Sequence, residues 1–197
     1  MAVSCENKVF QNILSTCENK ITAGITQKIY LINLDDIATV TYDNDDYMKV
    51  TGITLKTGKN AYTAEGLKQN FSASFERVID ADTGLDTYTD TINLNAFEFD
   101  SEAARNLAEM GNFAAVVVRN GKKLDNGSVL IFGLGAGLWC SADTWSAWEN
   151  GGSRQLTFSS QEGAGEEVAY YAYCVQTGSP AADDYNATIA QLDAMLA

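Results

Sequence analysis

Hydrophobic and polar residues alternate along much of the chain, and this pattern predicts β-strands. From Ile25 onward, ITQKIYLINL and then YMKVTGITLK are rich in β-branched and aromatic residues and are separated by turn-forming residues, which is typical of strands. The clearest alternation, FSASFERVI, puts five residues on one strand face: Phe71, Ala73, Phe75, Arg77 and Ile79. We therefore expect a half-exposed antiparallel strand here.

Turn residues between these runs predict two hairpins. DADTGLDTYTD has the composition of a hairpin tip, and TINLNAFEF follows it as the returning strand. AAVVVRN and SVLIFGL are joined by GKKLDNG, whose flanking Asn-Gly steps are strong turn signals. RQLTFSSQE and EEVAYYAYCVQ are the last predicted strands.

Helical periodicity appears in three places. DSEAARNLAEMG predicts a helix of about three turns, capped by Asp100 or Ser101 and stopped by Gly111. SPAADDYNATIAQLDAMLA predicts a C-terminal helix with Pro180 at its first position. Its apolar stripe consists of Ile189, Leu192 and Met195 or Leu196. NKVFQNILSTC, near the start, has a two-turn helical pattern.

Together these elements predict an α+β fold that is mostly β: an antiparallel β-sandwich or barrel with one packed helix. The expected organisation is an N-terminal arm at residues 1–20, a β-domain at 21–178 and a C-terminal helix at 179–197. With 197 residues, the chain is long enough for one domain with a sizeable core.

The chain is strongly acidic, with a formal net charge of −13. Such a surface repels phosphate backbones, so we expect no specific or retentive binding of nucleic acid. The opening residues do not have the pattern of a signal peptide, and no stretch is suited to cross a membrane. The acidic residues of two loops are the candidate charged surface: Asp43, Asp45, Asp46, Asp80, Asp82 and Asp86.

Candidate catalytic and cofactor chemistry is sparse. The chain has no histidine, and its four cysteines, Cys5, Cys17, Cys140 and Cys174, lack zinc-site spacing, so we expect no metal, no cofactor and no enzyme. Paired carboxylates suited to glycosidic chemistry remain an open alternative. GLGAG, at residues 133–137, is followed by no amphipathic helix and predicts a bent strand or loop rather than a nucleotide site.

Two binding alternatives also remain open. DADTGLD partly matches an oxygen-rich calcium loop but lacks its glycine and glutamate spacing, so a solvated tip is the preferred interpretation. The aromatic residues Trp139, Trp145, Trp148, Tyr170, Tyr171 and Tyr173 suit either a sugar-stacking platform or a core and interface. In YYAY, two tyrosines must point to one face of a strand and the third to the other.

Two stretches resemble a known family. CENKITAGITQKIYLINLDDI looks like the opening of tail tube and related virion proteins of long-tailed phages that infect gut Bacteroides-type bacteria, and GLGAGLWCSADTWSAWENGGSRQLTFSSQE is similar to their closing hairpin. The matching positions are Cys17, Gly24, Ile25, Tyr30, Gly137, Leu138, Leu156, Thr157 and Glu162. The resemblance covers the first and last thirds loosely. The duplicated CENK departs from it, since the family-like segment begins near the second copy.

The resemblance implies a non-enzymatic virion protein whose hexameric rings stack into a tail tube with an acidic lumen that conducts DNA during ejection. Such a protein assembles in the host cytoplasm and binds copies of itself and other tail proteins. Candidate contacts between subunits are Cys5, Phe10, Tyr170, Tyr171 and Leu192. Another ring-forming tail or neck component is the alternative within this class, and a β-sandwich carbohydrate-binding module is the alternative outside it.

Overall fold

A computed structural model describes residues 23–66, 70–79, 86–96, 101–120, 128–149, 152–161, 167–178 and 181–196. Both CENK copies, Cys5, Phe10 and the predicted N-terminal helix lie outside these ranges, as do Asp80 and Asp82. For Asp86 only the backbone is described.

The described residues form eleven strands and two α-helices, which confirms the predicted α+β, mostly β fold. The strands are β1 (Ile25–Asn33), β2 (Ile37–Tyr42), β3 (Lys49–Leu55), β4 (Tyr62–Glu65), β5 (Ser72–Ile79), β6 (Asp86–Ala96), β7 (Gly111–Arg119), β8 (Val129–Phe132), β9 (Leu138–Trp145), β10 (Arg154–Ser160) and β11 (Tyr171–Tyr173). The helices are α1 (Ser101–Glu109) and α2 (Ala181–Ala194), and a single 3₁₀ turn spans Leu34–Asp36.

All eleven strands belong to one sheet. Its main order is β2-β3-β11-β8-β7-β9-β10-β6-β5, while β1 pairs with the other edge of β7 and with β4. The two predicted hairpins, β5–β6 and β7–β8, are both present and antiparallel. Only the β3–β11 pair is parallel among the described strands. The sheet is thus mixed rather than purely antiparallel.

The sheet divides in two along β7. One edge of β7 pairs with β8 through residues 115–118 and with β9 through Gly111 and Phe113. Between β8 and β9 lies the predicted glycine loop, in which Gly133 and Gly137 adopt positive φ angles of 71° and 74°. That conformation is open to glycine at little cost, so the glycines allow the strand to bend. Beyond the bend, β8 continues to β11 and β9 continues to β10.

The first hydrophobic core lies between the two halves of the sheet. Phe113, Ala115 and Val117 of β7 pack in one cluster with inward side chains of the other half, including Leu156 and Phe158 of β10. The rings of Phe113 and Phe158 meet edge to face with centroids 5.1 Å apart. α1 contributes the partly buried Leu107 to this cluster. The arrangement is that of a two-layer sandwich.

The second core lies on the opposite face of β7 and is covered by α2. Ala114, Val116 and Val118 point to this side, together with Val50 of β3. From α2, Leu192 is 0% exposed. The prediction that Leu192 contacts another subunit is therefore wrong, because its side chain is enclosed by its own chain. The predicted C-terminal helix is thus a packed part of the domain, with Leu192 in the second core.

Asp90 is a buried carboxylate that joins the two halves of the sheet. It is 1% exposed and lies on β6 opposite Phe75 of β5. Its Oδ2 accepts a hydrogen bond from the Gly133 amide at 2.8 Å, and its own amide donates to Ser160 Oγ at 3.0 Å. These two hydrogen bonds connect β6 to the glycine loop and to β10, and so help to hold the bend in place.

Polar contacts fix the end of α2 to β1. Lys28 Nζ and Tyr30 OH both donate to Asp193 Oδ1 at 2.9 Å. On the same helix, Gln191 Oε1 accepts a hydrogen bond from Tyr173 OH at 2.7 Å. Hydrogen bonds from Lys28 and Tyr30 hold the pKa of Asp193 below its ordinary value. The charged form of Asp193 is therefore the form that stabilises the helix contact.

We expect Asp193→Asn to lower the free energy of unfolding by up to about 1 kcal/mol at pH 7, a modest loss because the ion pair is exposed. A carboxylate with a depressed pKa contributes stability above its unfolded pKa of about 4, and loses that contribution as the pH falls through its folded pKa. The difference between the two proteins should therefore shrink between pH 5 and pH 2. Urea unfolding across this range measures it, with the exposed turn residue Asp45→Asn as control. If the two proteins differ in unfolding free energy as much at pH 2 as at pH 7, the charged form of Asp193 is not what stabilises this contact.

Candidate assembly surface

The strand order ends at two open edges. β2 and β5 are the terminal strands of the main path, and each has one partner among the described strands. β5 is eight residues long and almost entirely exposed. The only proline of the chain is Pro180, so no proline blocks this edge. A long exposed edge presents a row of unpaired backbone groups to which another chain can pair.

The outer part of the β5–β6 hairpin extends past the rest of the sheet. β6 pairs with β5 from Asn93 to Asp86, but its pairing with β10 stops at Thr91. Residues 76–79 and 86–89 therefore form a two-stranded ribbon. Ile79 is 65% exposed on this ribbon and Phe75, at its base, is 46% exposed, so both are more exposed than the predicted half-exposed strand implied. An isolated two-stranded hairpin is marginally stable in water, so this ribbon suits contact with a partner.

The outward face of β5, β6 and β10 carries hydroxyl and amide side chains, and we call it the hydroxyl face. Across it, Asn93 Nδ2 donates to Ser72 Oγ at 2.9 Å and Thr157 Oγ1 donates to Asn93 Oδ1 at 2.8 Å. The residues of this face that the strand registers align are Ser72, Ser74, Glu76, Val78, Thr87, Thr89, Thr91, Asn93, Asn95, Gln155, Thr157 and Ser159. Glu76 is the one charged residue in this set, which contains no Lys or Arg.

An apolar groove lies beside β5 and has a volume of about 560 Å³. We call it the aromatic groove, because Phe71, Phe75, Phe132 and Tyr170 are among its lining residues. The ring centroid of Tyr170 is 5.9 Å from that of Phe75 and 6.4 Å from that of Phe132. Arg119, at the end of β7, is a cation that lines the same groove.

The three tyrosines of YYAY divide between the two faces as predicted. Tyr170 packs against the first core, while Tyr171 and Tyr173 pack against the second. Tyr171 is half-buried, with its ring centroid 5.8 Å from that of Tyr42. Tyr173 is buried, and this burial raises its pKa. Of the predicted contact residues, Tyr170 and Tyr171 thus retain accessible surface, and they lie on different sides of the sheet.

Trp148 lies after the end of β9, in the connection that leads to β10. Trp148 is 97% exposed. Trp145 Nε1 donates to the Gly152 carbonyl at 3.0 Å, and the Gly152 amide donates to the Glu149 carbonyl at 3.0 Å. The guanidinium of Arg154 binds both carboxylate oxygens of Asp143. That ion pair keeps the pKa of Asp143 below its ordinary value.

The predicted acidic residues divide between two hairpins. Asp43 and Asp46 close the β2–β3 turn: Asp43 accepts a hydrogen bond from the Asp45 amide at 2.9 Å, and Asp46 accepts one from the Met48 amide at 3.0 Å. Gln176 Nε2 also donates to Asp43 at 2.6 Å. Hydrogen bonding, chiefly from the Asp45 amide, lowers the pKa of Asp43. Asp45 is exposed in the same turn. Asp86 begins β6, which lies near the opposite end of the strand order.

Two of the four cysteines lie within the described ranges. Cys140 is exposed and Cys174 is buried. Within the described ranges, no three His, Cys, Asp or Glu side chains are grouped to hold a metal ion. No helix in the same ranges is long and apolar enough to cross a membrane. The DADTGLD loop, where calcium was an alternative, lies outside them.

The aromatic groove and the hydroxyl face were not predicted. The alternation of apolar and polar residues identified the apolar face of β5. Phe132 and Arg119 come from strands that are distant in sequence, and only the folding of the sheet places them beside this face. The regular spacing of Ser, Thr and Asn on β6 and β10 was an available signal for the hydroxyl face. Comparisons of the chain with protein-family models, curated proteins and solved structures find no match. The function must therefore be argued from this surface.

Proposed function

We propose that the protein is a non-enzymatic structural subunit that assembles with copies of itself, as the tail tube subunit of a long-tailed phage whose hexameric rings stack into a DNA-conducting tube. The observation that carries this proposal is the open edge of β5, an exposed strand of eight residues whose outer half pairs, among the described strands, with β6 alone. A protein of the neck or tail that forms rings without a tube is the alternative within the same class.

The two open edges suit association in a ring. β2 and β5 are different strands at opposite ends of the main path, so a contact between β5 of one copy and β2 of the next is heterologous. Heterologous contacts produce a closed ring when the rotation between copies closes, and an open filament when it does not. Pairing in either case would satisfy the backbone groups along both edges and bury the exposed apolar side chains of the ribbon.

The charge distribution suits a channel for DNA. A wall without Lys or Arg offers phosphate no counterion-releasing contact and does not retain the duplex. The aligned residues of the hydroxyl face include no Lys or Arg, and the net charge of −13 adds general repulsion. We therefore favour the hydroxyl face as the lumen wall. The acidic lumen expected from the sequence stays a prediction for Asp43, Asp45, Asp46, Asp80, Asp82 and Asp86.

Electron microscopy of the purified chain tests this proposal. We expect six-fold rings or tubes, and we expect Val78→Lys, which adds a charge to the exposed β5 edge, to abolish them. Tyr62→Lys on β4 is the matched control, because Tyr62 is also an exposed hydrophobic residue but lies off the main path. Rings that do not stack would favour the neck component. Monomeric particles that bind glycans would overturn the proposal in favour of the carbohydrate-binding module.

A further inference from the structure

We propose that Trp148, between β9 and β10 of one copy, inserts into the aromatic groove of a second copy. This inference rests on the proposed self-assembly and names a contact that drives it. The knob is Trp148 and the hole is the groove lined by Phe71, Phe75, Phe132 and Tyr170. Knob and hole occur on the same chain, so each copy can donate one contact and accept another.

Trp148 has the properties of an interface anchor. An indole side chain offers about 150–250 Å² of surface to bury, and tryptophan is enriched among residues that dominate binding energy. Here it is 97% exposed. The residues near it in the chain are held by the hydrogen bonds from Trp145 Nε1 to the Gly152 carbonyl and from the Gly152 amide to the Glu149 carbonyl.

The aromatic groove has the size and walls to receive such a side chain. Its volume of about 560 Å³ lies within the range of pockets that enclose small ligands. Offset and edge-to-face contacts with Phe75 and Tyr170 are the arrangements that aromatic rings prefer. The small side chain of Ala73 lines the groove between these aromatics. Since Trp148 is almost wholly exposed, it does not fill the groove of its own chain.

Charges beside the two elements are complementary. Glu149 follows the knob directly and is exposed. Arg119 lines the groove. An attraction between these two charges would offset part of the repulsion between copies of a chain whose net charge is −13. Opposite charges at the rim favour the correct partner and orientation.

The contact is continuous with the open edge of the sheet. Ala73 and Phe75 belong to β5 and also line the groove. Trp148 seated in the groove would lie against the same strand that offers its edge to a neighbour. Because knob and hole are different surfaces, the contact is heterologous and repeats from copy to copy.

The test uses two complementary variants of the full chain in sedimentation velocity. Trp148→Ala removes the knob and keeps the groove, whereas Ala73→Trp fills the groove and keeps the knob. We expect each variant alone to associate at least about 30-fold more weakly than the native chain, the loss typical of a hot-spot residue. A 1:1 mixture should regain association as heterodimers, because it contains one intact knob and one intact groove.

Tyr47→Ala is the matched control, since Tyr47 is an exposed aromatic residue in a different turn, and it should associate like the native chain. Circular dichroism melting verifies that each variant folds. Should Ala73→Trp fail to fold, Phe75→Ala removes a wall of the groove at a half-exposed position and serves in its place.

The outcomes separate this inference from the proposed function. If Trp148→Ala assembles like the native chain, the inference is wrong and the proposed function is unaffected. The same holds if the 1:1 mixture of Trp148→Ala and Ala73→Trp stays dissociated. Trp148-dependent oligomers without rings support the inference and overturn the ring. A native chain that stays monomeric at high concentration overturns both, and so does Trp148-dependent binding of glycans by monomers.

Discussion

Replacing Leu192 by alanine is expected to lower the free energy of unfolding by about 2–5 kcal/mol, the range for truncating a buried leucine. Leu192 is 0% exposed and lies in the second core with residues of β1, β3, β7 and β11. Its truncation would leave a cavity under α2 that rigid strands cannot fill. Guanidinium-induced unfolding, followed by circular dichroism, measures the loss.

Ile189→Ala provides the comparison for this prediction. Ile189 lies on the same helix but is only partly buried against the same core, so its truncation should cost less. A loss below about 0.5 kcal/mol for Leu192→Ala, the size of an ordinary surface change, would mean that α2 is a detachable arm rather than a part of the domain.

Gly133→Ala is expected to destabilise the fold by about 2–5 kcal/mol. Gly133 has a φ of 71°, where an L-residue costs roughly 1–2 kcal/mol. A Cβ atom there would lie 2.5 Å from Leu138 Cγ, and Leu138 is fully buried, so overpacking adds about 1–3 kcal/mol. The shift would also strain the hydrogen bond from the Gly133 amide to Asp90.

Gly152→Ala isolates the packing part of this effect. Gly152 has a similar φ of 77°, but nothing lies within 4 Å of the position a Cβ atom would take. It should therefore show only the conformational cost, about 1–2 kcal/mol. Thermal unfolding of both variants gives the comparison. Equal losses would show that the bend between β8 and β9 relaxes around the added methyl group.

Local patterns predicted the elements whose causes are local. The period of two in FSASFERVI and the turn residues after it predicted β5 and the β5–β6 hairpin, and the caps and stripe of DSEAARNLAEMG predicted α1. The strand LWCSADTW was missed, because all but the first of its residues are exposed and it has no apolar alternation. EEVAYYAYCVQ was predicted as a full strand, whereas β11 spans only Tyr171–Tyr173.

The sequence by itself determined that the chain folds as a mostly β domain, that it is strongly acidic, and that a long hairpin follows the first strands. Period, turn chemistry and net charge depend on neighbouring residues or on composition, so they can be recognised without coordinates. Only the tertiary structure decided that Leu192 belongs to the hydrophobic core and that Asp90 is buried and bonded to the Gly133 amide. It also decided that Phe132, Arg119 and Tyr170 lie beside β5 and line a groove with it. Each of these follows from pairing between strands distant in sequence, because strand order decides which faces meet.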